Sequence, residues 1–179
     1  MHFLIVIALA FFAFASVLLV AGVFIKKEYT IIQDIVIDKP VNDVFGYVKF
    51  MKNQQFFSKW WMTDPNSKKT YAGIDGTEGF ITTWDSQNKQ AGKGEQKMIK
   101  ITPHERVDYE IRFERPFKGV AYSYITTIGT TPATTKVTWV FFGTNKYPMN
   151  LMSALLKLNQ MLANDLQLSL QNLKAIMEK

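Results

Sequence analysis

The chain contains no cysteine, which excludes disulfide bonds, thiol nucleophiles and zinc–thiolate sites and leaves the redox compartment open. Its histidines are His2 and His104 alone, so a metal centre built from several imidazoles is excluded as well. Arginine is confined to positions 106, 112 and 115, and no basic segment with interleaved aromatics resembles an RNA-binding strand; nucleic acid is not an expected partner. Charged side chains are missing altogether between Phe3 and Ile25.

That last absence reads as a transmembrane anchor over residues 1–27. A helix of this length rises about 1.5 Å per residue and spans roughly 35 Å, against a hydrocarbon core of about 30 Å. A cleaved secretory signal would need a basic start and a small-residue site at the end of the apolar stretch. Here Ala13-Phe14-Ala15 lies mid-run, and the start offers only Met1 and His2. Lys26 and Lys27 flank the far end, which places the following domain on the cytoplasmic side of a single-pass topology. The net charge of +6 is carried mainly by dispersed lysines. It suits either an anionic leaflet or an ordinary solvated surface.

Residues 28–179 are enough for one domain with one core. Tyr29–Ile37 is β-branched and ends at Asp38-Lys39-Pro40, after which Val41, Val44, Phe45 and Val48 recur at helical spacing. A second short helical piece near Asn53–Lys59 leads to Trp60-Trp61-Met62. Strands are then expected near Thr70–Ala72, Gly79–Ser86, Gly94–Ile101, Val107–Glu114, Val120–Ile128 and Thr134–Phe142. In the fourth of these, Val107, Tyr109, Ile111 and Phe113 alternate with Asp108, Glu110, Arg112 and Glu114, the pattern of an antiparallel strand with one wet face. Beyond Pro148, leucines at 151, 155, 158, 162, 166 and 173, with Ile176, predict one amphipathic helix of about 28 residues.

This order, together with Asp38-Lys39-Pro40-Val41-Asn42-Asp43-Val44-Phe45-Gly46-Tyr47-Val48, Lys59-Trp60-Trp61-Met62-Thr63-Asp64-Pro65, Gly73–Gly79, Gly92–Glu95, Pro103–Val107, Thr135–Trp139 and Leu170–Lys174, resembles the START-like helix-grip superfamily. That superfamily includes the polyketide cyclase/dehydrase and lipid-transport family. The resemblance covers Tyr29–Lys179. It implies an α+β domain in which a curved antiparallel sheet of about six to seven strands grips the long C-terminal helix. A cavity for an apolar or amphipathic small molecule, a lipid among the candidates, is implied between them. It does not imply an activity, because carriers, sensors and cyclases share the fold.

The residues expected around that cavity are aromatic: Trp60 and Trp61 near its mouth, then Phe80, Trp84, Tyr109, Phe113, Tyr122, Tyr124, Trp139 and Phe141 along the strands. Leu162, Asp165 and Ser169 are expected to face it from the helix, the last two as polar contacts. Each aromatic could equally be plain core packing. For a cyclase- or dehydratase-type enzyme, Tyr122, Tyr124 or Asp165 would be acid or base; a third possibility is an interaction module with a filled core. No catalytic triad can be assembled around His104 in its Pro-His-Glu-Arg turn. Arg115 at a hairpin tip could meet an acidic head group, while Asp75 and Glu78 read as solubilising loop residues. The glycine-rich segments match neither a Walker nor a dinucleotide fingerprint, so no cofactor and no metal are expected. The expected partners are a bilayer along residues 3–25 and the small molecule; protein partners stay open.

Overall fold

The computed structural model describes residues 2–88 and 90–179, except for the side chains at 2, 8, 11, 14, 15, 18 and 21. The expectations resting on Met1, on His2 and on the small-residue pattern at 13–15 therefore lie outside the described residues. Helix α1 runs His2–Phe24. Among the described residues no helix is long and apolar enough to cross a membrane. The expected single-pass anchor, and with it the cytoplasmic placement of the domain, is corrected on that finding.

The end of α1 is docked on the domain rather than leading away through a free linker. Asn150 Nδ2 donates to Gly22 O at 2.7 Å and to Ile25 O at 2.9 Å, which satisfies carbonyls that a helix C-terminus leaves open. Gly22 is the point of closest approach, since a Cβ there would lie 3.1 Å from Leu151 and 3.3 Å from the Tyr147 ring. Lys27 O accepts from Asn145 N at 2.8 Å, extending the same attachment.

Strand β1 (Glu28–Ile37) is followed by α2 (Val41–Val48), a 3-10 turn at Met51–Asn53, α3 (Gln54–Phe57) and α4 (Lys59–Thr63). Strands β2 (Lys68–Ala72), β3 (Ile81–Asp85), β4 (Lys93–Thr102), β5 (Arg106–Arg115), β6 (Gly119–Thr131) and β7 (Thr134–Thr144) then form a meander. The sheet has seven strands in the order β1-β7-β6-β5-β4-β3-β2, every pair antiparallel. Register shifts in β4 at Lys93/Gly94 and Met98/Lys100 bend that strand, as bulges do, and favour a concave inner face.

Two helices, α5 (Met149–Leu155) and α6 (Leu158–Met177), replace the single C-terminal helix expected from the leucine spacing. The break comes at Lys157, which is left-handed with φ 52°. The two parts face different partners: α5 buries Asn150, Leu151 and Ser153 beside α1, while α6 buries Leu166, Ser169, Leu170 and Leu173 on the concave sheet. Leu155 consequently falls out of the apolar stripe at 60% exposed, and Leu170, which the leucine series had passed over, enters it. Leu166, Leu170 and Leu173 are fully buried, each contributing about 1.5–3 kcal/mol through removal from water.

Candidate functional site

The inner face of the sheet is organised in cross-strand rows. Register places Trp84, Gly94 and Phe113 in one row, Thr82, Gln96, Ile111 and Ala121 in the next, and Met98, Tyr109, Ser123 and Phe141 in a third that Phe80 borders. Gly94 permits the first row to form. A Cβ at that position would lie 2.4 Å from Arg112 O and 2.7 Å from the Trp84 ring, so only glycine lets the indole lie across β4. Trp84 Nε1 donates to Ala91 O at 2.9 Å, which pins the ring there.

Opposite these rows stand α4 and α6. Lys59 N, at the start of α4, donates to Ser169 Oγ at 2.8 Å, and Asn172 Nδ2 donates to Phe57 O at 3.1 Å, so two polar side chains of α6 hold the α3–α4 backbone. Trp60 and Trp61, about 100° apart on the short helix, then reach opposite ways. Trp61 meets Trp84 edge-to-face at 5.8 Å, and Trp84 meets Phe113 at 6.1 Å. Trp60 packs at 5.4 Å from Phe141 and 6.1 Å from Trp139. These separations suit edge-on aromatic attraction.

The two aromatic arms enclose a cavity of about 190 Å³. Of the expected residues, Trp60, Trp61, Trp84, Phe113, Phe141 and Leu162 line it, joined by Ile111, Ala91 and the polar Thr63, Ser67, Gln90 and Gln96. No lysine, arginine, aspartate or glutamate is among the lining residues. A second, shallow depression on the outer surface is charged instead, with Lys93 paired to Glu114 at 2.7 Å and Arg115 paired to Asp85. That pairing is where the structure places Arg115.

The other expected residues sit elsewhere. Phe80, Tyr109 and Trp139 are in the solid core, where Trp139 Nε1 donates to Ser123 Oγ at 2.8 Å. Ser169 is fully buried, but its hydroxyl is committed to Lys59 N and, as donor, to Asp165 O at 2.6 Å; neither it nor Asp165 lines the cavity. Tyr122 and Tyr124 are on the opposite face of the sheet. Tyr122 stacks on Phe142, Tyr124 meets the same ring edge-on, and the Arg106 guanidinium lies 3.6 Å from the Tyr124 ring centre. The inner positions of that strand go to Ala121, Ser123 and Ile125, which stand opposite Gly143, Phe141 and Trp139 of β7 in register. Asp108 and Glu110 form outward ion pairs with Arg106 and Arg112, and His104 is exposed in its turn.

Two glutamines escaped the sequence reading. Gln54 is buried behind the aromatic wall and accepts from Trp61 Nε1 at 3.3 Å. Its amide also lies beside the Tyr109 hydroxyl, where it opposes the strong upward push that burial gives that phenol's pKa. Even so, neither Gln54 Nε2 nor the Tyr109 hydroxyl has a hydrogen-bond partner in good geometry; the two groups are adjacent but misaligned. Gln96 was detectable, since the alternation of β4 puts it on the same face as Met98. Asp75 also does more than solubilise a loop: its carboxylate accepts from Met51 N at 2.8 Å and Lys52 N at 3.2 Å. Glu78 accepts from Ile101 N at 3.0 Å.

No protein-family model matches the chain, and no curated protein matches it. Solved structures do. A protein from Chromobacterium violaceum shares 17% identity with it over 84% of this chain and 97% of that one, with a TM-score of 0.59. Truncated norcoclaurine synthase from Thalictrum flavum shares 11% identity over 83% and 92%, TM-score 0.59. The Aha1 dimer from Colwellia psychrerythraea shares 16% over 84% and 96%, TM-score 0.56. At such identities the likeness speaks for the fold alone. That fold is the α+β helix-grip arrangement, an antiparallel sheet closed by a long C-terminal helix.

Proposed function

We propose that this chain binds a small, uncharged, largely aromatic molecule in the cavity between α4, α6 and strands β3–β5. The observation that carries the reading is the composition of the wall: three tryptophans and two phenylalanines around about 190 Å³, with no charged side chain among the lining residues. Pockets that hold organic ligands are lined in this way, by aromatic groups with a few polar ones. The volume sets the size of the occupant. A cavity of about 150 Å³ accepts benzene, whereas drug-sized sites run from about 300 to 1,000 Å³. The occupant proposed is thus one ring with a short substituent, and a whole lipid would not be enclosed. That one solved structure of this fold is a synthase and another is a dimer named Aha1 is a reminder that architecture does not choose between chemistry and binding. Binding is preferred because the groups considered as acid or base, Tyr122, Tyr124 and Asp165, do not line the cavity.

Titrating the full chain with benzene-sized aromatics by calorimetry and tryptophan fluorescence tests this. Three of the four tryptophans are in the wall, so saturable binding with Kd at or below about 1 mM should change the emission. Leu162→Trp, which fills the space, should abolish it. Non-saturable titrations, or binding that survives the filled variant, would remove the proposal.

A further inference from the structure

We infer that Gln96 is the polar anchor of this cavity and that the occupant is a neutral aromatic molecule bearing an amide or lactam edge; this rests on the reading above that the cavity is a binding site. Gln96 is on the inner face of β4, between Thr82 of β3 and Ile111 of β5 in register, and it lines the cavity. The residue is only 6% exposed. Its side-chain amide nevertheless has no hydrogen-bond partner among the described residues, and Thr82, the nearest polar neighbour in the row, donates its hydroxyl to Met51 Sδ at 3.1 Å. The amide is reachable from the cavity, since the fully buried side-chain polar atoms without a partner belong to Gln54, Ser58, Tyr109 and Asn150, and its donor and acceptor are free to meet an occupant. Gln54 differs in place rather than in pairing: its amide oxygen accepts from Trp61 behind the wall, and its Nε2 is buried and unpaired away from the cavity lining.

A glutamine amide presents a donor and an acceptor side by side, and another amide edge is the neutral group that meets both at once. Charge argues the same way. An aromatic wall can attract a cation, but Lys69 Nζ already lies 5.5 Å from the Trp61 ring centre, and no carboxylate lines the cavity to balance a second positive charge. An anion has no cationic lining residue to meet.

The experiment compares benzamide, ethylbenzene and trimethylphenylammonium on the full chain and on Gln96→Met, which keeps the side-chain volume close and removes the amide. Benzamide affinity should fall at least about tenfold in the variant, which loses both hydrogen bonds of the amide pair, while ethylbenzene changes less than about twofold. Independently of whether the variant folds, the Gln96 side-chain NH₂ proton resonances of the wild-type chain should move downfield with benzamide relative to their positions with ethylbenzene, whose ring current alone acts on them. Equal weakening for the two compounds, Gln96 resonances no further downfield at saturating benzamide than with ethylbenzene, or tightest binding of the ammonium compound would each overturn the inference. Saturable ethylbenzene without benzamide binding overturns it and leaves the cavity reading standing; failure of all three compounds removes both.

Discussion

Replacing Ser169 with alanine tests how the aromatic wall is held against the sheet. The hydroxyl makes two bonds, and they differ in weight. Its bond to Asp165 O is an i−4 contact inside α6, made to a carbonyl that the helix ladder already serves, so its loss costs little. The bond from Lys59 N is the one that matters, because that N–H opens α4 and has no acceptor within its own helix. Stranding a buried donor costs about 1–3 kcal/mol. With Lys59 itself half-buried, about 1.5 kcal/mol is expected. For a domain of this size that lowers Tm by roughly 3–6 °C. Urea unfolding followed by tryptophan fluorescence should give a lower midpoint at unchanged m, and near-ultraviolet circular dichroism should change because α4 carries Trp60 and Trp61. A destabilisation below about 0.3 kcal/mol would refute the view that Ser169 is the acceptor for α4. Unchanged stability together with abolished ring binding would make the hydroxyl a ligand group instead.

Asp75→Ala removes the carboxylate that accepts from Met51 N and Lys52 N and should cost about 1–2 kcal/mol, the usual loss of a cap; a urea midpoint matching the wild type would count against that role. Tyr109→Phe addresses pH. Burial holds this phenol above its ordinary value, so the associated stability is intact below about pH 10 and is lost as pH rises beyond it, where the unfolded chain releases a proton that the folded chain keeps. The variant should flatten the alkaline fall by up to about 1.4 kcal/mol per pH unit. Tyr29 and Tyr47, raised by burial too, leave part of the slope in place, and parallel wild-type and variant curves between about pH 9 and 11 would contradict the assignment.

Much of the frame could be read from residue spacing because the periods are physical. Val107, Tyr109, Ile111 and Phe113 face inward along β5 as their alternation requires. Val44, Phe45 and Val48 are buried on α2 as their helical spacing requires. Alternation alone does not say which of two sets faces in. Along β6 both sets are plausible, and the aromatic weight of Tyr122 and Tyr124 points the wrong way, since Ala121, Ser123 and Ile125 take the inner face. The leucine series likewise continued past residue 156 without signalling that α5 and α6 need different faces.

Residue order was enough to read much of the frame of residues 28–179, namely the strand and helix succession, a sheet with one apolar face and an abundance of aromatics; it misled on the apolar run from Phe3 to Ile25 and on the single C-terminal helix. Three-dimensional packing was needed to choose which aromatics meet, to bring Gln96 into the cavity without a partner, and to rest the end of the first helix on Asn150. Local periodicity is written in neighbouring residues, whereas these choices depend on volume competition between elements far apart in the chain, as between Lys59 and Ser169 or Gly22 and Asn150.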